Sequence, residues 1–276
     1  MKKIGKIFLS ICLFFIIFLS MPFSKASADM GPKPASYITI KGIEGDYVAA
    51  FASTKRSGPN GFYEDWLERG DYLDYHPIME YNDAEGYKWL QLYMKCNGEE
   101  EIKFTYWCPE VYKIIIYKDN EIYAATKPLE MYAYSTYYEL DFSKYVKGNA
   151  DTIKVRNSYN YFGEIAFLLL RIVLTLVVEI GLFFLMRLYT KRNLLVVGIT
   201  NLVTQIILNV MVNIDAFNHG WLSGLLLLFL GEAIVLIVEF IVYQIFIKDK
   251  NRLLIILYPI LANLLSFGLG LLLLVH

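Results

Sequence analysis

The sequence predicts a two-part molecule: an immunoglobulin-like β-sandwich followed by an all-α transmembrane four-helix bundle. Three observations predict it. Short β-rich runs punctuated by turn residues fill 29–160. Four long apolar runs, 164–187, 193–214, 220–247 and 253–275, close the chain. The N-terminus has the form of a secretory signal, which directs the downstream chain across a membrane.

In that signal, Lys2, Lys3 and Lys6 form the positive end, 7–20 is the apolar run, and Ala26-Ser27-Ala28 is a small-residue cleavage site. An apolar run of about 14 residues is too short to span comfortably. Cleavage after Ala28 is expected, and retention as an uncleaved anchor is the alternative. Cys12 leaves with the signal and lies in no lipoprotein-like context. Composition agrees, since 56% hydrophobic residues and a mean hydropathy of +0.41 are too apolar for a chain wholly in water. Between Asp29 and Asn160 there are 21 acidic and 15 basic residues, a net near −6. That excludes a broad basic face, so nucleic acid is not an expected partner.

The mature chain opens Asp29-Met30-Gly31-Pro32-Lys33-Pro34, a stiff segment that leads without helix into the first strand. Ala28 to Pro34 (A-D-M-G-P-K-P), Lys41-Gly42-Ile43-Glu44-Gly45 and Arg156 to Tyr161 (R-N-S-Y-N-Y) carry a resemblance. The chain resembles, along its whole mature length, an uncharacterised family of Gram-positive bacterial membrane proteins with a signal peptide, an ectodomain and a helical C-terminal domain. Where family members read P-K-P-S, Ala35 precedes Ser36 here. The resemblance implies this architecture and no chemistry.

Residues 37–41 and 46–53 read as strands of a hairpin around Gly42 to Gly45. Residues 54–61 form a loop by composition, and Phe62, Trp66 and Leu67 at helical spacing predict a short helix in 62–72. After an acidic stretch, 87–95, 101–107, 111–118, 121–125, 131–142 and 152–156 read as strands. The turns between them are at Asn97-Gly98, Cys108-Pro109, Asp119-Asn120 and Lys127-Pro128. An antiparallel sandwich is expected from strands so spaced.

With 29–160 exported, the four spans alternate so that Arg187, Lys191, Arg192, Lys248, Lys250 and Arg252 all fall on the cytoplasmic side. The positive-inside rule requires that distribution. The Asp215 to His219 turn and His276 then face outside, and a multi-pass plasma-membrane protein is the predicted location.

Polar residues interrupt the spans, where an ionisable group is costly and normally faces a bundle interior. Counting from the inner helix ends at about 1.5 Å per residue sorts them into two layers. Arg171 and Glu232 reach similar depth and form a candidate ion pair, with Asn209 in the same layer. Glu179 and Glu239 lie lower with Asn201, Gln205 and Asn263. Spacings of four put Arg171, Thr175 and Glu179 on one stripe, and Asn201, Gln205, Asn209 and Asn213 on another. Asn263 and Ser266 share a face beyond a kink expected at Pro259. Two readings stand. The polar groups are interhelical glue, or Glu179 and Glu239 with Asn201, Gln205 and Asn263 bind a cation or exchange a proton.

In the β region, 18 of the 22 tyrosines fall between Asp29 and Asn160. Tyr132, Tyr134, Tyr137 and Tyr138 form either a platform for sugar or peptide or ordinary core and cross-strand pairs. Asp71, Asp74, His76, Glu80, Asp83 and Glu85 match no calcium-loop or zinc spacing and read as a solvated loop, so no metal is assigned. Cys96 and Cys108 are the one exported pair. They form a disulfide or stay as two buried thiols, with a tight turn at Asn97-Gly98 placing their Cβ atoms too far apart to bridge.

No phosphate loop, nucleophile elbow or zinc-binding His-Glu-x-x-His pattern occurs, and no cofactor is implied. Ser266 and Thr204, as intramembrane nucleophiles, lack a nearby His or Lys base. The leading expectation is a non-enzymatic envelope protein whose β domain recognises an extracellular protein or glycan, anchored in the lipid bilayer by a polar-cored bundle. The alternative is a transporter or channel subunit with an intramembrane cation or proton site. Either leaves room for a homo-oligomer or a partner membrane subunit.

Overall fold

The computed structural model describes residues 33–56, 62–69, 75–106, 108–188, 190–248 and 251–274. The signal at 1–28, the opening at 29–32, most of the 54–61 loop, Asp71, Asp74 and His276 lie outside the described residues.

The N-terminal part is rich in β-sheet. Its strands are β1 (Ala35–Lys41), β2 (Asp46–Ser53), β3 (Lys88–Asn97), β4 (Glu100–Thr105), β5 (Val111–Lys118), β6 (Glu121–Ala125), β7 (Leu129–Glu130), β8 (Ser135–Asp141) and β9 (Lys154–Asn157). One sheet runs β4-β1-β8-β9. The other runs β3-β2-β5-β6, with β7 also pairing β5. The inward residues of both sheets merge in one core: Ile38, Ile40, Ile102, Phe104 and Leu140 from the first, Tyr47, Phe51, Tyr112, Ile114 and Ile116 from the second.

Two expectations are corrected. Strands β1 and β2 do not form a hairpin, because they belong to different sheets. The turn between them carries the chain across the core with Gly42 at φ 77° and Gly45 at φ 71°. A Cβ on Gly42 would meet the Ser143 backbone nitrogen at 2.3 Å, so only glycine fits there. The ladders are also not all antiparallel, since β1 runs parallel to β8 with Ile38 opposite Tyr138. A parallel neighbour needs a long crossover, which the intervening strands supply. The β5–β6 hairpin is as expected, with Asp119 (φ 53°) and Asn120 (φ 62°) in the left-handed region that a tight two-residue turn requires.

Strand β2 is buried on both faces. Its Val48, Ala50 and Ala52 form a second cluster with Ile78, Met79, Trp89 and Ile115. The cover over that face comes from helix α1 (Tyr63–Arg69) and the 3₁₀ turn Pro77–Glu80. Small alanines let this cover approach closely. The acidic stretch serves the same cover. Lys113, 7% exposed on β5, is held by Asp83 and Glu85, both at 2.8 Å. His76 caps the 3₁₀ turn by accepting the Ile78 N–H at 3.2 Å.

Four helices follow: α2 (Tyr161–Leu185), α3 (Lys191–His219), α4 (Trp221–Phe246) and α5 (Arg252–Leu274). The first three are long and apolar enough to cross a membrane. Asn160 and Thr190 cap α2 and α3 by accepting the N–H groups of Gly163 (2.9 Å) and Asn193 (3.1 Å). Helix α3 continues through the expected Asp215 to His219 turn. The Asp215–His219 pair one turn apart (2.9 Å) supports the extra turn, and Gly220 at φ 91° ends it. The helices pack in the ring α2–α3–α4–α5, with α5 closing on α2. Helices α2 and α4 are therefore diagonal. Glu179, Asn201, Gln205, Glu239 and Asn263 are buried, whereas Phe162, Leu185, Ile199, Ile234 and Leu264 are exposed. Such an inverted pattern suits a bundle solvated by hydrocarbon.

Candidate functional site

Two places combine unusual chemistry with defined geometry: a cavity where the β domain meets the helices, and the polar interior of the bundle.

The cavity, about 620 Å³, is walled on one side by Tyr37, Lys103, Tyr134 and Tyr137 and on the other by Tyr159, Glu164, Asn213, Phe217 and Trp221. Tyr37 and Tyr137, paired across the parallel β1–β8 ladder, stack at 4.7 Å with planes 6° apart. Lys103 lies over the Tyr37 ring at 5.0 Å. Tyr159 bridges the two walls, 5.7 Å from Tyr137 and 5.3 Å from Phe217. Burial pushes the Tyr159 hydroxyl up to about 12 and raises that of Tyr137, so both remain donors at neutral pH.

The expected tyrosine platform is split. Tyr134 and Tyr137 line the cavity. Tyr138 packs against the core and donates to the Glu130 carbonyl at 2.9 Å. Tyr132 accepts the Tyr137 N–H at 2.9 Å and donates its hydroxyl to the Tyr137 carbonyl or Asn157 Oδ1. The reason is a break in the expected 131–142 strand, which begins only at Ser135. Ahead of it, the Tyr134 N–H is drawn to the Phe217 carbonyl at 2.9 Å. Tyr37, Lys103, Tyr159, Phe217 and Trp221 come from separate stretches, and no local signal in the sequence marks them.

In the bundle, Glu179 on α2 and Glu239 on α4 are both 0% exposed. Glu239 accepts from the Thr204 hydroxyl (2.9 Å) and Asn263 Nδ2 (2.7 Å). Glu179 accepts from the Ser266 hydroxyl at 3.1 Å, while its Oε2 has no partner among the described residues. Asn263 Oδ1, Asn201 Nδ2 and Gln205 Nε2 are also buried without partners. Asn201 Oδ1 accepts the Tyr243 hydroxyl, and Tyr258 donates to the Glu179 carbonyl at 3.2 Å. All five residues of the expected lower layer are thus buried in the bundle interior.

The upper layer is corrected. Arg171 bonds Asn213 Oδ1, not Glu232. Helices α2 and α4 are diagonal, so the arginine reaches its neighbour α3 first. Among the described residues Glu232 Oε2 and Arg171 Nε have no partner, and Asn209 turns back on Gln205 (Oε1 at 3.1 Å) instead of joining them.

Cys96 and Cys108 are both free thiols, so the disulfide alternative falls. Burial raises both above the usual thiol range.

A search against protein-family models, curated proteins and solved structures found no match to this chain.

Proposed function

We propose that this chain is a multi-pass plasma-membrane protein whose β domain, an immunoglobulin-like sandwich, stands outside the cytoplasm and binds an envelope ligand in the junction cavity. All four helices span the bilayer, and the bundle both anchors the domain and receives its signal. The length and apolar character of α2, α3 and α4 support the membrane placement. The observation that carries the binding reading is the cavity's construction. One wall belongs to the sheet and the other to the ends of α2, α3 and α4, so a ligand there touches both parts at once. Stacked tyrosines beside a lysine and a carboxylate suit a sugar or short peptide with polar substituents.

The test is binding of full-length protein in nanodiscs to arrays of envelope saccharides and peptides. A ligand whose affinity falls about tenfold or more in Tyr137→Ala and Lys103→Ala supports the reading. Binding that both variants leave unchanged sinks it. A reporter at Lys191 that is reached from outside intact cells would overturn the topology.

A second reading is a transporter or channel subunit. Two buried carboxylates in the bundle interior support it. Ion flux in proteoliposomes that never exceeds empty liposomes would remove it.

A further inference from the structure

Glu179 and Glu239 bring two carboxyl groups into an interior that offers them no basic partner among the described residues. Arg171 lies eight residues, about 12 Å, along α2 and is bonded to Asn213. Lys191 and Arg192 begin α3, ten and nine residues before Asn201. The surrounding titratable groups are Tyr243 on α4, Tyr258 on α5, and Glu232 one level above Glu239. None supplies positive charge.

Hydrogen bonding does not make up the deficit. Thr204 and Ser266 each have one hydroxyl hydrogen, with two backbone carbonyls in reach of Thr204 and one in reach of Ser266 as competing acceptors. Asn263 commits both amide hydrogens, to Glu239 Oε2 at 2.7 Å and the Pro259 carbonyl at 2.9 Å. Its Oδ1 is left unpartnered, as is Glu179 Oε2. Two orphaned oxygens on residues 5% and 0% exposed therefore remain in a charge-deficient core.

We propose that Glu179, Glu239 and Asn263 form a binding site for one hard monovalent cation, sodium or potassium, with a single proton retained on the carboxylate pair. Two negative charges in low dielectric need two positive ones. With one proton retained the pair carries a single negative charge, which one monovalent ion balances and a divalent ion overcompensates. With both carboxyls protonated the site is neutral. Cation entry displaces one proton to bulk, leaving a carboxylic acid and a carboxylate–cation pair, so charge is conserved. Such binding holds whether or not the ion is transported.

The test uses full-length wild-type protein in detergent, titrated with NaCl, KCl or choline chloride at constant ionic strength. The expected result is a saturable rise of the unfolding midpoint in sodium or potassium but not choline, with about one proton released per ion to a weakly buffered indicator. Glu239→Gln should abolish both signals, and Lys113→Met, remote in the β domain, should keep them. Identical midpoints in all three salts, or a rise without proton release, would overturn the site. Saturable binding with no flux in proteoliposomes would keep the site and remove transport. Absence of binding leaves ligand recognition at the cavity untouched.

Discussion

Tyr134 and Phe217 meet backbone to backbone, the Tyr134 N–H donating to the Phe217 carbonyl at 2.9 Å. That carbonyl belongs to the last turn of α3, where helical partners run out. The β domain thus completes the helix end, and its own chain continues the link through the Ala35 N–H to the Tyr134 carbonyl at 3.0 Å.

Gly220 is the pivot beside this link. It sits at φ 91°, and a Cβ there would meet the Tyr134 ring at 2.7 Å. Gly220→Ala therefore combines backbone strain with a clash and is expected to cost about 1–3 kcal/mol. Thermal unfolding in detergent should show a lowered midpoint. A midpoint equal to wild type would mean that the junction is loose.

Lys113 is expected to be a stability residue of the β domain. Burial opposes the ionisation of Asp83, but the Lys113 ammonium and the Tyr87 N–H outweigh it and hold that carboxyl below its usual range. A depressed carboxylate contributes stability above its unfolded pKa and loses it as pH falls through the folded value. The midpoint should accordingly fall as pH drops below about 4. Lys113→Met should remove this part of the acid dependence and cost about 1–3 kcal/mol by taking the ammonium partner from Asp83. Unchanged acid sensitivity in the variant would count against the assignment.

Arg171 is expected to couple to Asn213 and not to Glu232. A double-mutant cycle of Arg171→Gln with Asn213→Leu should give an interaction of about 1 kcal/mol, whereas the cycle with Glu232→Gln should be near additive. The reverse pattern, read from unfolding midpoints, would restore the diagonal ion pair.

Pro259 deprives the Ile255 carbonyl of its helical donor, and Gln244 Nε2 from α4 fills the vacancy at 3.2 Å. Gln244→Leu should destabilise the wild type. In a Pro259→Ala background, where the substituted residue supplies the missing N–H, the same change should cost much less. Equal losses in both backgrounds would refute this link.

Local pattern along the chain was enough to assign the β-rich and helical halves, the helix extents to within about five residues, and most of the buried polar side chains of the bundle. One turn of helix or one pleat of strand decides which face a residue occupies, and that information is carried by neighbours in sequence. Glu179, Asn201, Gln205, Glu239 and Asn263 could be singled out for that reason alone. Which partners they meet was settled by packing in three dimensions. Arg171 chose Asn213 over Glu232 because ring packing makes α2 and α3 neighbours and sets α4 across the diagonal. Strands β1 and β2 parted into different sheets although their alternation and the Gly42 to Gly45 turn fit a hairpin equally well. The cavity was illegible for the same reason, since Tyr37, Lys103, Tyr137, Tyr159 and Trp221 converge from distant segments. Hydropathy and periodicity report a residue's own environment, whereas convergence depends on how whole elements dock.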